Sequence, residues 1–219
     1  MLSILLPTRG RADMAVKAVY NIWKTTACDD FEIVIGVDRD DQPTIDAFGR
    51  DEKLYFCQPG ITLCEKYRQL EAAATGDAMV YWADDFVAET LGWDAAIEGA
   101  LARFSDGLCM ITLKDGFNNG GLGHNQPPGI FVITKQWAEV VGCYLPDGFE
   151  TQCMDLWVWD TARRVDNVHR GRRIYLDDVM VRHDHGKRHD DTWAIGQATT
   201  YRDRERYVVR TPEREAAAA

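Results

Sequence analysis

Several features are scarce or missing in this chain of 219 residues. Its six cysteines, at 28, 57, 64, 109, 143 and 153, form no CxxC pair, which removes the common zinc and dithiol spacings. Three of them fall in strand-like runs where cysteine acts as a small hydrophobe, so a reduced, cytoplasmic setting is expected. No apolar stretch approaches the ~20 residues a membrane helix needs, and Met1–Pro7 carries no basic leader, so neither membrane insertion nor a signal peptide is expected. Positive charge is short: 25 Lys and Arg stand against 35 Asp and Glu, a net charge of -10. That balance excludes a protein that coats nucleic acid indiscriminately. There are no internal repeats and no low-complexity tracts.

What is present is a large apolar fraction, 46%, enough for one sizeable α/β core without a second. Ser3–Pro7, Phe31–Val37, Leu54–Cys57 and Ala78–Trp82 read as strands, and helical spacing over 12–25, 43–48 and 65–74 separates them. Strand and helix in strict alternation predict a mostly parallel sheet flanked by crossover helices, with ligand chemistry at the strands' carboxyl ends. Those ends are Thr8–Arg11, Asp38–Asp41 and Asp84 with Asp85. The last is the most informative: the apolar run Ala78-Met79-Val80-Tyr81-Trp82 breaks after Ala83 into two adjacent acids, a position suited to a metal and a phosphate. The competing reading gives one acid to the cap of a helix starting near Glu89 and leaves the other to solvent.

Past residue 88 the pattern loosens. A helix is expected over 91–104, strands over 108–113 and 130–133, a long functional loop over 115–129, a helix over 135–142, an acid-bearing helix around Cys153–Asp160, and strand character again at Ile174–Leu176. Glu213–Ala219 is expected to fray. His183 and His185 follow the strand-like Val179–Val181 at a spacing of two. They would point the same way, able to grip a metal or frame a phosphate beside Arg182, Lys187 and Arg188. His124 and His169 read as surface residues. Between Thr161 and Tyr175, five arginines (163, 164, 170, 172, 173) stand against one acid, Asp166. The run is either a solvated helix end or a surface for an anionic acceptor.

The order Ser3-Ile4-Leu5-Leu6-Pro7-Thr8-Arg9-Gly10-Arg11, a strand ending at Asp38, Ala74-Thr75-Gly76-Asp77, a strand ending in acids, Gly92-Trp93-Asp94 and an acidic helix at Asp155 resembles GT-A glycosyltransferases of the family 2 type. The resemblance covers roughly residues 2 to 190. It implies a GT-A fold over 1–205, with a nucleotide-sugar half (1–88), an acceptor half (89–205) and a tail (206–219). It implies that Pro7, Thr8, Arg9, Arg11 and Asp38 hold a nucleotide sugar, UDP-linked by expectation. A solvated loop for the arginines and a turn role for Asp38 are the competing readings. Asp84 and Asp85 resemble the family's DxD motif, with Asp85 binding Mn²⁺ or Mg²⁺ across the donor diphosphate. Ala83 replaces the first acid, which shifts the sugar or ribose contact to Asp84. A late histidine completes the metal site in related enzymes, here His183 or His185.

An inverting transfer needs a base, and Asp155 occupies the family's acidic-helix position, with Glu150 and Asp160 as competitors and helix capping as the alternative role. Trp93, Trp137, Trp157 and Trp159 fit either ring stacking or core. Small size and a compact C-terminal part also resemble bacteriophage glycosyltransferases, some of which modify hydroxylated DNA bases. That implies a host-cytoplasm location and, as acceptor, DNA with a hydroxylated base or a sugar phosphate. Two other classes stay open. A sugar nucleotidyltransferase usually has a glycine-rich first loop, where this chain has only Gly10. A non-catalytic nucleotide-sugar-binding protein is favoured by Ala83.

Overall fold

A computed structural model of the protein describes residues 1–49, 53–116, 129–184 and 191–219, the side chains of 192 and 193 excepted. The first half alternates: β1 (Leu2–Thr8), α1 (Ala12–Thr25), β2 (Phe31–Asp38), α2 (Gln42–Phe48), β3 (Leu54–Cys57), α3 (Leu63–Ala73) and β4 (Ala78–Tyr81). All seven residues of β1 are buried. Leu2, Ile4 and Leu6 serve one core and Leu5 the other, as period-two alternation requires of a strand covered on both faces. β1 pairs in parallel with β2 and β4, and β3 lies outside β2. Helices α1 and α2 contribute to the first core, while α3 packs into the second.

α3 begins two residues before the expected Glu65. Thr62 and Glu65 form a reciprocal capping box, Thr62 Oγ1 accepting from the Glu65 amide (3.1 Å) and Glu65 Oε2 from the Thr62 amide (2.8 Å), which satisfies amides that have no partner inside the helix. Gly76, just past α3, allows a close approach to the start of the chain: a Cβ there would lie 2.6 Å from Ser3 Oγ and 2.8 Å from the Met1 carbonyl.

The second half contains β5 (Phe86–Ala88), α4 (Trp93–Leu101), β6 (Met110–Lys114), β7 (Phe131–Thr134), α5 (Lys135–Val141), α6 (Met154–Val168), β8 (Arg173–His183), α7 (Asp191–Val209) and α8 (Thr211–Ala217). The sheet order is β3-β2-β1-β4-β7-β6-β8-β5, with β7 antiparallel to β4 and β6, and β8 parallel to β6. The helix expected near Glu89 is absent: Phe86–Ala88 is a strand, and α4 starts only after Gly92 (φ 72°). β8 is long and changes partner partway. Its register against β6 jumps from Leu113↔Leu176 to Lys114↔Met180, and its distal end pairs antiparallel with β5, setting His183 opposite Phe86. A bulge of this kind re-aims a strand, and here it carries a histidine to the acid pair.

The expected frayed end is corrected. Residues 211–217 form α8, whose Arg214 is 1% exposed and reaches Asp160 Oδ2 of α6 at 2.9 Å.

Candidate functional site

Parallel strands aligned side by side place Thr8, Asp38 and the Asp84–Asp85 pair at one edge of the sheet. A cavity of about 320 Å³ opens there, bounded by the Pro7–Arg11 turn, the acid pair, His183, Lys66 and Tyr67 of α3, and the start of α7. Gly10 makes the turn, taking φ 65°, a left-handed conformation costly for other residues. Its amide donates to Asp41 Oδ2 at 2.6 Å.

The two acids have different surroundings. Asp84 is 8% exposed, accepts from Thr8 Oγ1 at 2.9 Å and pairs with Arg11 at 3.0 Å. Burial pushes its carboxyl above the ordinary range against the pull of Arg11. Asp85 lies 3.2 Å from His183 Nε2 through Oδ1 and 4.0 Å from Arg11 through Oδ2. The backbone supports this: the Asp184 amide donates to the Asp85 carbonyl at 2.8 Å, and the ring of Phe86 meets that of His183 edge-on at 4.6 Å. Asp85 and His183 thus bring a carboxylate oxygen and an imidazole nitrogen together, a donor pair that fits a divalent cation. Among the described residues no set of three His, Cys, Asp or Glu side chains converges, so further ligands would have to come from a bound molecule. His185 lies outside the described residues, as do His124 and almost all of the expected 115–129 loop.

Asp38, expected from the resemblance to hold the nucleotide sugar, lies beneath the turn that carries Arg9. It is fully buried and held between Arg9 and Lys66, so it orients two cations toward the cavity. Lys66 and Tyr67 were not singled out by the sequence reading. The signal was there: Lys66 interrupts the apolar stripe Leu63–Tyr67–Leu70 of α3, and a lysine on a buried face asks for a partner. Tyr67 donates to the Trp82 carbonyl at 3.0 Å, and the nearby charges of Asp84, Asp85 and Asp155, after burial, disfavour its ionisation.

Asp155 opens α6. Its Oδ1 accepts from the Leu156 amide at 2.8 Å, burial raises its pKa, and it feels the charge of His183. It is not one of the residues that line the cavity, but it stands in the electrostatic neighbourhood of those that do. The competitors are otherwise engaged. Glu150 is bound by Arg202 (2.8 Å) and Arg206 (2.9 Å), which lower its pKa. Asp160 is buried and faces away from the cavity, toward α8. The loop ahead of α6 is fixed by Asp203 of α7, fully buried, whose carboxylate takes the amides of Glu150, Thr151 and Gln152 at 3.0, 3.0 and 2.8 Å. That anchor sets Thr151 and Gln152 opposite Ile195–Gln197 as a neutral wall of the cavity.

Four of the five arginines of the run are engaged within the protein, and Arg170 is exposed. Arg163 and Arg164 pair with Asp160, Arg172 with Asp106 at 2.7 Å, and Arg173 is 8% exposed with its guanidinium 5.2 Å from the Trp159 ring. Trp93, Trp137, Trp157 and Trp159 are all core, at most 5% exposed.

The sequence matches no protein-family model and no curated protein. Solved structures do match. A mannosyltransferase from Pyrobaculum calidifontis, in complex with GDP-Man and Mn²⁺, superposes with a TM-score of 0.68 at 15% identity, over 99% of this chain and 68% of that one. Residues 1–349 of TarS from S. aureus, in complex with UDP-GlcNAc, give 0.66 at 12%, over 88% and 60%. Glucosyl-3-phosphoglycerate synthase from Mycobacterium tuberculosis, with Mn²⁺, UDP-glucose and phosphoglyceric acid, gives 0.65 at 13%, over 94% and 79%. The chain therefore spans about two thirds of the first of these proteins and less of the second. At such identities the likeness is one of architecture: the chain has the GT-A fold, as these three structures do.

Proposed function

We propose that this protein is a metal-dependent glycosyltransferase that moves a sugar from a nucleoside-diphosphate sugar to a hydroxyl acceptor with inversion. One observation carries the reading: β8 bends to place His183 against Asp85, at the edge where Thr8, Arg11 and Lys66 also meet. The neighbours in fold hold UDP- or GDP-sugars, two of them with Mn²⁺.

Asp85 and His183 would hold the divalent cation, and the imidazole in that pair favours Mn²⁺ over the oxygen-seeking Mg²⁺. When bound, the ion supplies positive charge against the departing diphosphate. Pro7, Thr8 and Arg9 face the nucleoside, with Asp38 holding Arg9 and Lys66 in place, and Arg11 forks onto phosphate oxygens. Asp84 meets the sugar or ribose while the Thr8 hydroxyl fixes its orientation. Asp155 accepts the proton of the attacking hydroxyl, and its burial-raised pKa makes it a stronger base than an exposed aspartate. A single displacement on the face opposite the diphosphate inverts the anomeric centre. Arg163, Arg164, Arg172 and Arg173 are engaged within the protein while Arg170 is exposed, so a DNA or sugar-phosphate acceptor draws its support from the sequence alone.

The test is a thermal-shift panel of UDP, GDP and their glucose, N-acetylglucosamine and mannose conjugates, each with and without Mn²⁺, followed by measurement of nucleoside diphosphate release. A ligand binding only the native state raises the melting temperature with its concentration. We expect a metal-dependent shift and slow release of diphosphate. No shift with any member and no release would overturn the reading; a shift without release would leave a binding protein.

A further inference from the structure

The acid pair already has a cation. Arg11 Nη1 is 3.0 Å from Asp84 Oδ1 and 4.0 Å from Asp85 Oδ2, and Asp84's other oxygen accepts from Thr8. His183 stands at Asp85 Oδ1. Each of the four carboxylate oxygens therefore lies beside Arg11, His183 or the Thr8 hydroxyl, in a setting where the Arg11 side chain is 15% exposed and the two acids 7% and 14%. Attraction between charges this close and this poorly hydrated is strong, and separating them without compensation is costly. A free divalent cation arriving at Asp85 meets a guanidinium already seated between the two acids, and its own charge would repel that guanidinium. A diphosphate changes the balance, because it offers Arg11 an anion of matching fork geometry while adding oxygens for the metal.

Arg11 sits at the N-cap of α1, where its side chain makes no cap hydrogen bond, and it lines the cavity into which the diphosphate would enter. From this geometry we infer that Arg11 couples the two ligands, occupying the metal's place against the acids until a nucleoside diphosphate draws it away, so that metal and nucleotide bind as a pair and the metal alone binds poorly. This rests on the metal-dependent reading above, applied to the same site. By linkage, whatever factor the nucleotide adds to metal affinity, the metal adds to nucleotide affinity. With Ala83 in place of the first motif acid, Arg11 faces two carboxylates instead of three.

The experiment is Mn²⁺ titration followed by electron paramagnetic resonance of the unbound ion, on the full chain, with and without saturating UDP or GDP. For the unaltered protein we expect the nucleotide to tighten Mn²⁺ by about tenfold or more, within the usual span of couplings. In Arg11→Gln, Mn²⁺ alone should bind at least about threefold more tightly than in the unaltered protein, and the nucleotide-induced tightening should shrink to about threefold or less. Arg11→Lys keeps the charge and should retain most of the coupling; it carries the test if Arg11→Gln does not fold. His183→Ala should lose Mn²⁺ binding in the nucleotide complex, which ties the signal to this site. Equal Mn²⁺ affinity with and without nucleotide in the unaltered protein, or an Arg11→Gln variant with unchanged coupling, overturns the inference and leaves the metal-dependent reading standing. Absence of Mn²⁺ binding under every condition overturns both.

Discussion

Asp85 and His183 are about a hundred positions apart in sequence and 3.2 Å apart in the folded chain, so each is a separate handle on the same proposed metal. Asp85→Ala should lower transfer at least ~100-fold, since a metal-centred charge interaction contributes several kcal/mol to the transition state. The melting temperature should move by no more than a few degrees, because Asp85 is not part of either apolar core. Transfer surviving within a few-fold would remove Asp85 from the metal site. Asp155 gives a contrasting pattern. In Asp155→Asn the donor should still bind, by calorimetry with UDP or GDP and Mn²⁺, while kcat falls on the order of 10²–10⁴-fold as expected for loss of a general base. In the unaltered enzyme the acidic limb of kcat against pH should lie above the range of an ordinary aspartate, because burial raises this carboxyl. A donor-binding defect equal to the loss of rate would make Asp155 a structural cap. At this scale the sequence was informative where residues sit next to one another. Asp84 and Asp85 could be read from it directly; Lys66 and Asp203 could not, because their partners are far away in the chain and no local pattern announces them.

The elements that were legible are those whose burial leaves a periodic trace. β1, β2 and β4 are apolar on both faces, and α1 carries its buried Ala15, Ala18, Val19 and Ile22 at helical spacing. β5 is three residues long, too short for alternation to show, and the bend of β8 depends on pairing with it. α8 was misread as a frayed end because its contacts are ionic. Asp160 gathers Arg163 (2.7 Å), Arg164 (2.9 Å) and Arg214 (2.9 Å); burial would raise its carboxyl, but these three hydrogen bonds outweigh that and hold it at about 2. Arg214 also donates to the Tyr207 carbonyl and to Thr211 Oγ1. Arg214 is the buried one of the three cations on Asp160, so Arg214→Ala should cost about 1–3 kcal/mol in urea unfolding, with Arg163 and Arg164 still compensating the carboxylate. Replacing Arg163, Arg164 and Arg173 together should likewise lower stability and leave the salt dependence of transfer unaltered. A flattened salt slope with unchanged stability would restore the arginine run as an acceptor surface.

Over the whole molecule, ten net negative charges coexist with a cavity whose lining sets Arg9, Arg11, Lys66 and His183 beside Asp84, Asp85 and Asp184. The pH dependence of global stability is set by the carboxyls whose pKa differs between folded and unfolded chain, and Glu71 of α3 isolates one of them away from the cavity. Its Oε1 accepts from Tyr81 Oη at 2.7 Å, and burial lifts its pKa from the ordinary 4.5 to about 7 against the pull of that hydrogen bond and of Arg68. The folded state therefore holds a proton that the unfolded chain has released between about 4.5 and 7. Since stability falls with pH wherever the native state binds more protons, the Glu71 contribution is complete below the unfolded pKa and is lost as pH rises through about 7. The magnitude is on the order of 1–3 kcal/mol, at 1.36 kcal/mol per unit and with allowance for partial hydration. Glu71→Gln keeps the acceptor for Tyr81 and cannot ionise. Denaturant unfolding from pH 4.5 to 8 should therefore show the variant gaining stability over the unaltered protein across that window, with the difference levelling off above about 7. Parallel curves would mean that Glu71 ionises in the folded protein as it does in the unfolded chain.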